Sequence, residues 1–265
     1  MSPRTRLAGA LALALVASSA PRATRAADGP AEALALVDAM IEAHGGMERW
    51  AGAPTVSFSD EFRPGEATTG VPMRVTVEQG PRRAFLDVVG TDMRMAWDGE
   101  KAWSESWAVP MPPRFIALLD YYFLNLPWLA RDPGVILSEV GEGRIPEDPT
   151  AYRTVKMTFE PGTGDTPDDY YLLYIDPETH RLKATEYVVT YRAVLGEGEE
   201  STPPHLLVYD EWTEVEGLTV PTHYTIYEGA AVYATNQIRD WSFTQPFDLS
   251  RMAMPEGAVV DTSQP

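Results

Sequence analysis

Residues 111–133, Met-Pro-Pro-Arg-Phe-Ile-Ala-Leu-Leu-Asp-Tyr-Tyr-Phe-Leu-Asn-Leu-Pro-Trp-Leu-Ala-Arg-Asp-Pro, restrict the folds open to this chain more than any other stretch. From Phe115 to Leu129 only Asp120, Asn125 and Pro127 interrupt an apolar run. A helix without a polar face has to be covered on most sides or border an apolar cavity. The roughly 12 residues ahead of Pro127 are too few to span a bilayer, which takes about 20. The flanking sequence reads as short alternating strands. The expectation is a strongly twisted sheet with one apolar helix on its concave face.

Residues 30–44 form a predicted helix, with Pro30 in its first turn and Gly45-Gly46 at its end. Leu34, Val37, Met40 and Ile41 share one face, and His44 stands at the C-terminus, where a positive charge is favoured. The period then changes to two, with Val56, Phe58, Asp60 and Phe62 alternating against Thr55, Ser57, Ser59 and Glu61. Further strands are expected near 72–79, 83–89, 92–97 and 101–108, with Asp98-Gly99 as a hairpin turn. After the apolar segment they resume near 135–141, 151–159, 170–175, 181–191, 205–214, 219–228 and 231–243. The acidic loops 162–169 and 196–204 are expected to be mobile. So many antiparallel strands in one sheet must curl or close. The fold class is mainly β (α+β): a single curved, half-open antiparallel barrel of about 11 strands, residues 27–265, with an N-terminal helix and an internal apolar helix.

Arg4 and Arg6 precede an apolar run from Leu7 to Ala20, followed by Thr24-Arg25-Ala26. This is the pattern of a secretory signal peptide cleaved near Ala26. It predicts a periplasmic protein without stable membrane insertion. The chain has no cysteine, which excludes disulfides and a lipidated N-terminal Cys. Its 21 basic and 39 acidic residues give a net charge of −18, or −22 without Arg4, Arg6, Arg22 and Arg25. Such a field repels nucleic acid and anionic surfaces and would attract a partner with a basic patch. A generally acidic proteome accounts for the same number.

Several phrases, in this order, resemble the LolA/LolB-like lipoprotein-carrier superfamily and its outer-membrane-lipoprotein-sorting-like members. They are His44-Gly-Gly-Met-Glu-Arg-Trp50, Trp97-Asp-Gly-Glu-Lys-Ala-Trp103, Leu126-Pro-Trp-Leu-Ala-Arg-Asp-Pro-Gly134, Tyr174-Ile-Asp-Pro-Glu-Thr-His-Arg-Leu182, Val215-Glu-Gly-Leu-Thr-Val-Pro221, and Pro246-Phe-Asp-Leu249 with Met254-Pro-Glu-Gly257. The resemblance implies an open, curved sheet whose helices plug a hydrophobic cavity for acyl chains. It further implies a monomeric binding protein for lipid, acyl chain or lipoprotein cargo, not an enzyme.

Candidate pocket or lid residues are Phe115, Ile116, Leu118, Leu119, Tyr122, Phe123, Leu126 and Trp128 of the apolar segment, joined by Phe58, Phe62, Trp97 and Trp103 of the first meander. The competing reading of the same segment is a permanently packed core helix. The four histidines show no metal-ligand spacing, and no cofactor is called for. No Gly-x-Ser-x-Gly or glycine-rich phosphate loop occurs. Asp60 and Asp210 are the carboxylates that interrupt apolar strand faces, each with an arginine such as Arg74 or Arg239 as an ordinary partner. Two other classes stay open: an envelope scaffold or sensor that binds protein through the same fold, and, ranked below it, a carboxylate-dependent hydrolase.

Overall fold

The computed structural model describes residues 29–265; the segment read as a signal peptide, 1–26, lies outside them. Helix α1 (Ala31–Ala43) and the one-turn α2 (Met47–Ala51) lead into β1 (Thr55–Pro64), β2 (Val71–Glu78), β3 (Ala84–Val88), β4 (Arg94–Trp97) and β5 (Ala102–Glu105). The apolar segment forms α3 (Pro113–Ile116) and α4 (Leu119–Leu129). Then come β6 (Val135–Gly143), β7 (Tyr152–Phe159), β8 (Tyr171–Ile175), β9 (Leu182–Tyr187), β10 (His205–Val215), β11 (Leu218–Glu228), β12 (Ala231–Ser242) and β13 (Val259–Val260).

All thirteen strands belong to one curved, open antiparallel sheet in the order β13-β5-β4-β3-β2-β1-β12-β11-β10-β9-β8-β7-β6. Two meanders, β1–β5 and β6–β12, are joined where β12 pairs with β1. The count exceeds the expected 11, in part because β13 is only two residues long and carries no alternation to read. This order explains the apolar segment. The chain leaves β5 near one end of the sheet and must re-enter at β6, the opposite edge, so α3 and α4 cross the hollow between them.

Pro127 lies inside α4 instead of ending it. Proline removes the N–H that would bond the carbonyl four residues back. That carbonyl belongs to Phe123, and it accepts a hydrogen bond from the Tyr209 hydroxyl on β10 at 2.6 Å. The substitute donor lets the helix continue to Leu129.

Four of the phrases singled out in the sequence, 44–50, 126–134, 174–182 and 215–221, meet in space as a scaffold. His44 Nδ1 lies 2.9 Å from the Thr219 carbonyl, while Nε2 accepts from the Leu182 amide at 3.1 Å. A carbonyl acceptor at Nδ1 and an amide donor at Nε2 fix the neutral Nδ1–H tautomer. Burial lowers the His44 pKa to about 4, so the helix-end charge expected from sequence is absent at neutral pH. Gly45 has φ +102°, and a Cβ there would stand 2.3 Å from the Gly217 carbonyl. Only glycine combines that conformation with that approach. Trp50 stacks on Trp128 with centroids 5.7 Å apart and donates to Asn125 Oδ1 at 2.8 Å. Asn125 in turn donates to the Tyr121 carbonyl, the Tyr121 hydroxyl to Gln79, and the Gln79 amide to the Trp50 carbonyl. This closed polar ring ties α2 and α4 to the end of β2.

Candidate functional site

The two halves of α4 have different surroundings. Leu124, Leu126, Trp128 and Leu129 in its rear half are buried in the main core. Leu118, Leu119, Tyr122 and Phe123 at its front instead form one wall of a cavity of about 520 Å³. The opposite wall comes from the β6–β9 arm: Val135, Phe159, Tyr171, Val189 and Tyr191. Tyr122 and Tyr171 pack with centroids 5.4 Å apart, and Phe115 packs on Tyr191 at 5.0 Å. This size is within the range of small-molecule sites, and the lining is chiefly apolar.

Of the residues singled out from sequence, Phe115, Leu118, Leu119, Tyr122, Phe123 and Trp97 border the cavity. Ile116, Leu126 and Trp128 do not; they are buried beside it. Phe58 is buried against Trp241 at 5.0 Å, Phe62 is half-buried further along β1, and Trp103, a residue of β5, donates its indole N–H to the Met252 carbonyl. Phe159 of β7 and Val189 were not singled out as site residues. Their strand alternation was visible, but the face they share with α4 follows only from the crossover.

The mouth is charged and internally balanced. Arg82, in the β2–β3 turn, pairs with Asp132 at 2.5 Å. Arg114, at the start of α3, makes a bidentate pair with Asp165 at 2.6 and 2.7 Å and lies over the Trp97 ring. Asp169 accepts from the Thr190 amide, the Thr190 hydroxyl and the Thr166 hydroxyl, each at 2.7 Å. Burial still pushes its pKa above the usual carboxylate range. The loop read as mobile from its acidity is thus held at Asp165 and Asp169, because its acids have partners. The chain's last residues close the same side: the Arg114 amide donates to Asp261, and Ser263 pairs with the Tyr191 hydroxyl.

The carboxylate pairing differs from the expectation. Asp210 is exposed on β10, bonded to His223 and Thr225. The neighbour of Asp60 is Asp120 of α4, with Asn236 between them and Tyr224 donating to Asp120 at 2.7 Å. The Asn236 side-chain oxygen accepts from the Glu61 amide, so its NH₂ must face the two acids. A donor in that position fills the place a cation would take. The pair does not border the 520 Å³ cavity.

The curved antiparallel half-barrel of this chain, with a helix across its hollow, has a counterpart among solved structures. It is similar to a LolA superfamily protein from Nitrosomonas europaea, with a TM-score of 0.52 and 10% identity over 84% of this chain and 97% of that one. It also aligns with a DUF1329 family protein from Desulfovibrio piger at a TM-score of 0.48, 10% identity, 82% of this chain and 93% of that one. The fold is LolA-like. No family profile and no curated protein matches the sequence. Among the described residues no helix is long and apolar enough to cross a membrane.

Proposed function

We propose that this protein is a binding or carrier protein of the cell envelope that holds the acyl part of a lipid or lipoprotein between the front of α4 and the β6–β9 arm. The observation that carries this reading is the 520 Å³ cavity with its apolar walls, placed where the crossing helix meets the sheet. Each methylene buried there contributes about 0.8 kcal/mol, so ten would supply roughly 8 kcal/mol before the costs of association. The LolA-like fold supports the reading at the level of architecture. Chemistry on the bound ligand has no support from the Asp60–Asp120 pair, which lies outside the cavity lining. Native mass spectrometry of residues 27–265, purified from a periplasm, tests the proposal. A stoichiometric lipid adduct supports it. A clean apo mass together with no uptake of an apolar fluorescent probe sinks it.

A further inference from the structure

Resting on the proposal that this cavity is a ligand site, we infer that residues 259–263 are a releasable strap that sets the breadth of its mouth, and so which apolar ligands pass. β13 and β9 lie far apart along the sheet, with β5-β4-β3-β2-β1-β12-β11-β10 between them. Yet soon after β13 the Ser263 hydroxyl lies 2.9 Å from that of Tyr191, in the segment that follows β9. The chain here crosses the open side of the half-barrel instead of following the sheet. Tyr191 borders the cavity, as do Arg114 and Phe115 of α3.

Asp261 holds the crossing together. Its amide donates to the Ala102 carbonyl at 2.9 Å, which extends the β13–β5 ladder by one residue. One carboxylate oxygen accepts from the Arg114 amide at 2.7 Å, the other from the Ser263 amide at 2.8 Å. The residue before α3 is Pro112, which has no side-chain group to cap the helix, so Asp261 supplies that cap from the strap. It thereby fixes Phe115, whose ring meets Tyr191 at 5.0 Å across the mouth. The turn from Asp261 to Ser263 aims the serine hydroxyl at the same tyrosine. The Arg114–Asp165 pair also crosses here, but a partly exposed ion pair contributes little alone. The strap itself is lightly held. β13 is two residues long, and Val259 and Val260 are 67% and 41% exposed, so its release uncovers little apolar surface. The mouth can widen there without unfolding of the sheet.

The test follows the association of two uncharged fluorescent probes with the mature protein: diphenylhexatriene, a slender rod, and perylene, a broad plate. In Asp261→Ala the association rate of perylene is expected to rise about tenfold, while that of diphenylhexatriene changes less than about twofold. The opposite change is made by fastening the strap. The chain has no cysteine, so Ala193→Cys/Ser263→Cys can be joined selectively by a short bis-maleimide. Ala193 is exposed, two residues past Tyr191. The joined protein should take up perylene at least about tenfold more slowly than the same protein with both thiols capped by N-ethylmaleimide, with diphenylhexatriene again little changed. Should Asp261→Ala fail to fold, the joined and capped forms decide alone. Equal effects on the two probes, or perylene uptake that neither change alters, overturn the strap and leave the ligand site standing. Failure of the wild-type protein to bind either probe overturns the ligand site itself, and this inference with it.

Discussion

Asp60 of β1 and Asp120 of α4 share one hydrogen-bond donor: the Asn236 side-chain nitrogen lies 3.3 Å from Asp60 Oδ2 and 3.2 Å from Asp120 Oδ1. Asp60 Oδ1 is buried with no partner. Burial, and then the Asp120 charge, drive the Asp60 pKa well above the usual range; burial also raises that of Asp120. Carboxylates this close hold at least one proton between them over much of the pH scale. Their folded pKa values exceed their unfolded ones. The pair's contribution to stability is therefore full at low pH and is lost as pH rises through the raised values. Asp60→Asn should raise stability by about 1–2 kcal/mol at pH 8, with the gain shrinking as pH falls toward 4. Urea unfolding of both proteins across that range checks it. A gain independent of pH would contradict the shared proton.

His44 has the opposite linkage. Its folded pKa of about 4 lies below the ordinary 6.5, so the stability it contributes is present above 6.5 and is lost as pH falls toward 4. The full loss is about 3 kcal/mol. His44→Gln removes the titration while keeping a polar side chain. The stability difference between wild type and variant should narrow or reverse between pH 7 and pH 4.5, read from urea midpoints.

The Tyr209–Phe123 bond is predicted to matter only because of Pro127. Tyr209→Phe leaves a buried carbonyl unpaired and should cost about 1–3 kcal/mol. In a Pro127→Ala background the helix supplies its own amide to that carbonyl, so the same change should cost less than about 0.5 kcal/mol. A double-mutant cycle by denaturant unfolding measures the coupling. Equal costs in both backgrounds would contradict this account of the helix passing through proline.

The two halves of α4 should respond differently to substitution. Leu126→Ala opens a hole in the closed core and should cost about 2–5 kcal/mol. Leu119 is half-buried at the cavity, so Leu119→Asp should leave a folded protein, by far-UV circular dichroism, that binds an apolar probe at least about tenfold more weakly.

Much of this was legible in the sequence because an apolar run without a polar face admits few placements. Phe115, Leu118, Leu119, Tyr122 and Phe123 reached the cavity for that reason. The period-two alternation located most strands, and the Asp98-Gly99 turn sits between β4 and β5 as read. What stayed hidden depends on the crossover. Nothing local to Asp60 points to Asp120, and nothing near Phe159 or Tyr171 says which element covers them. Pro127 reads as a helix end unless the Tyr209 hydroxyl is known to replace the lost amide. His44 misled because its position at a helix end favours charge, whereas its two backbone partners and its burial favour the neutral ring. The carrier-like phrases marked the joint between α1, the sheet and α4 more than the cavity.

The central claim is that an acyl chain lies between the front of α4 and the β6–β9 arm. The most direct test is photolabelling with a diazirine-bearing acyl chain, followed by peptide mapping. Labels concentrated on residues 115–123, Phe159, Tyr171 and 189–191, and lost in Leu119→Asp, are the predicted result. Labels spread over the exposed Val259, Val260 and Met254 surface, or unchanged by Leu119→Asp, would contradict it.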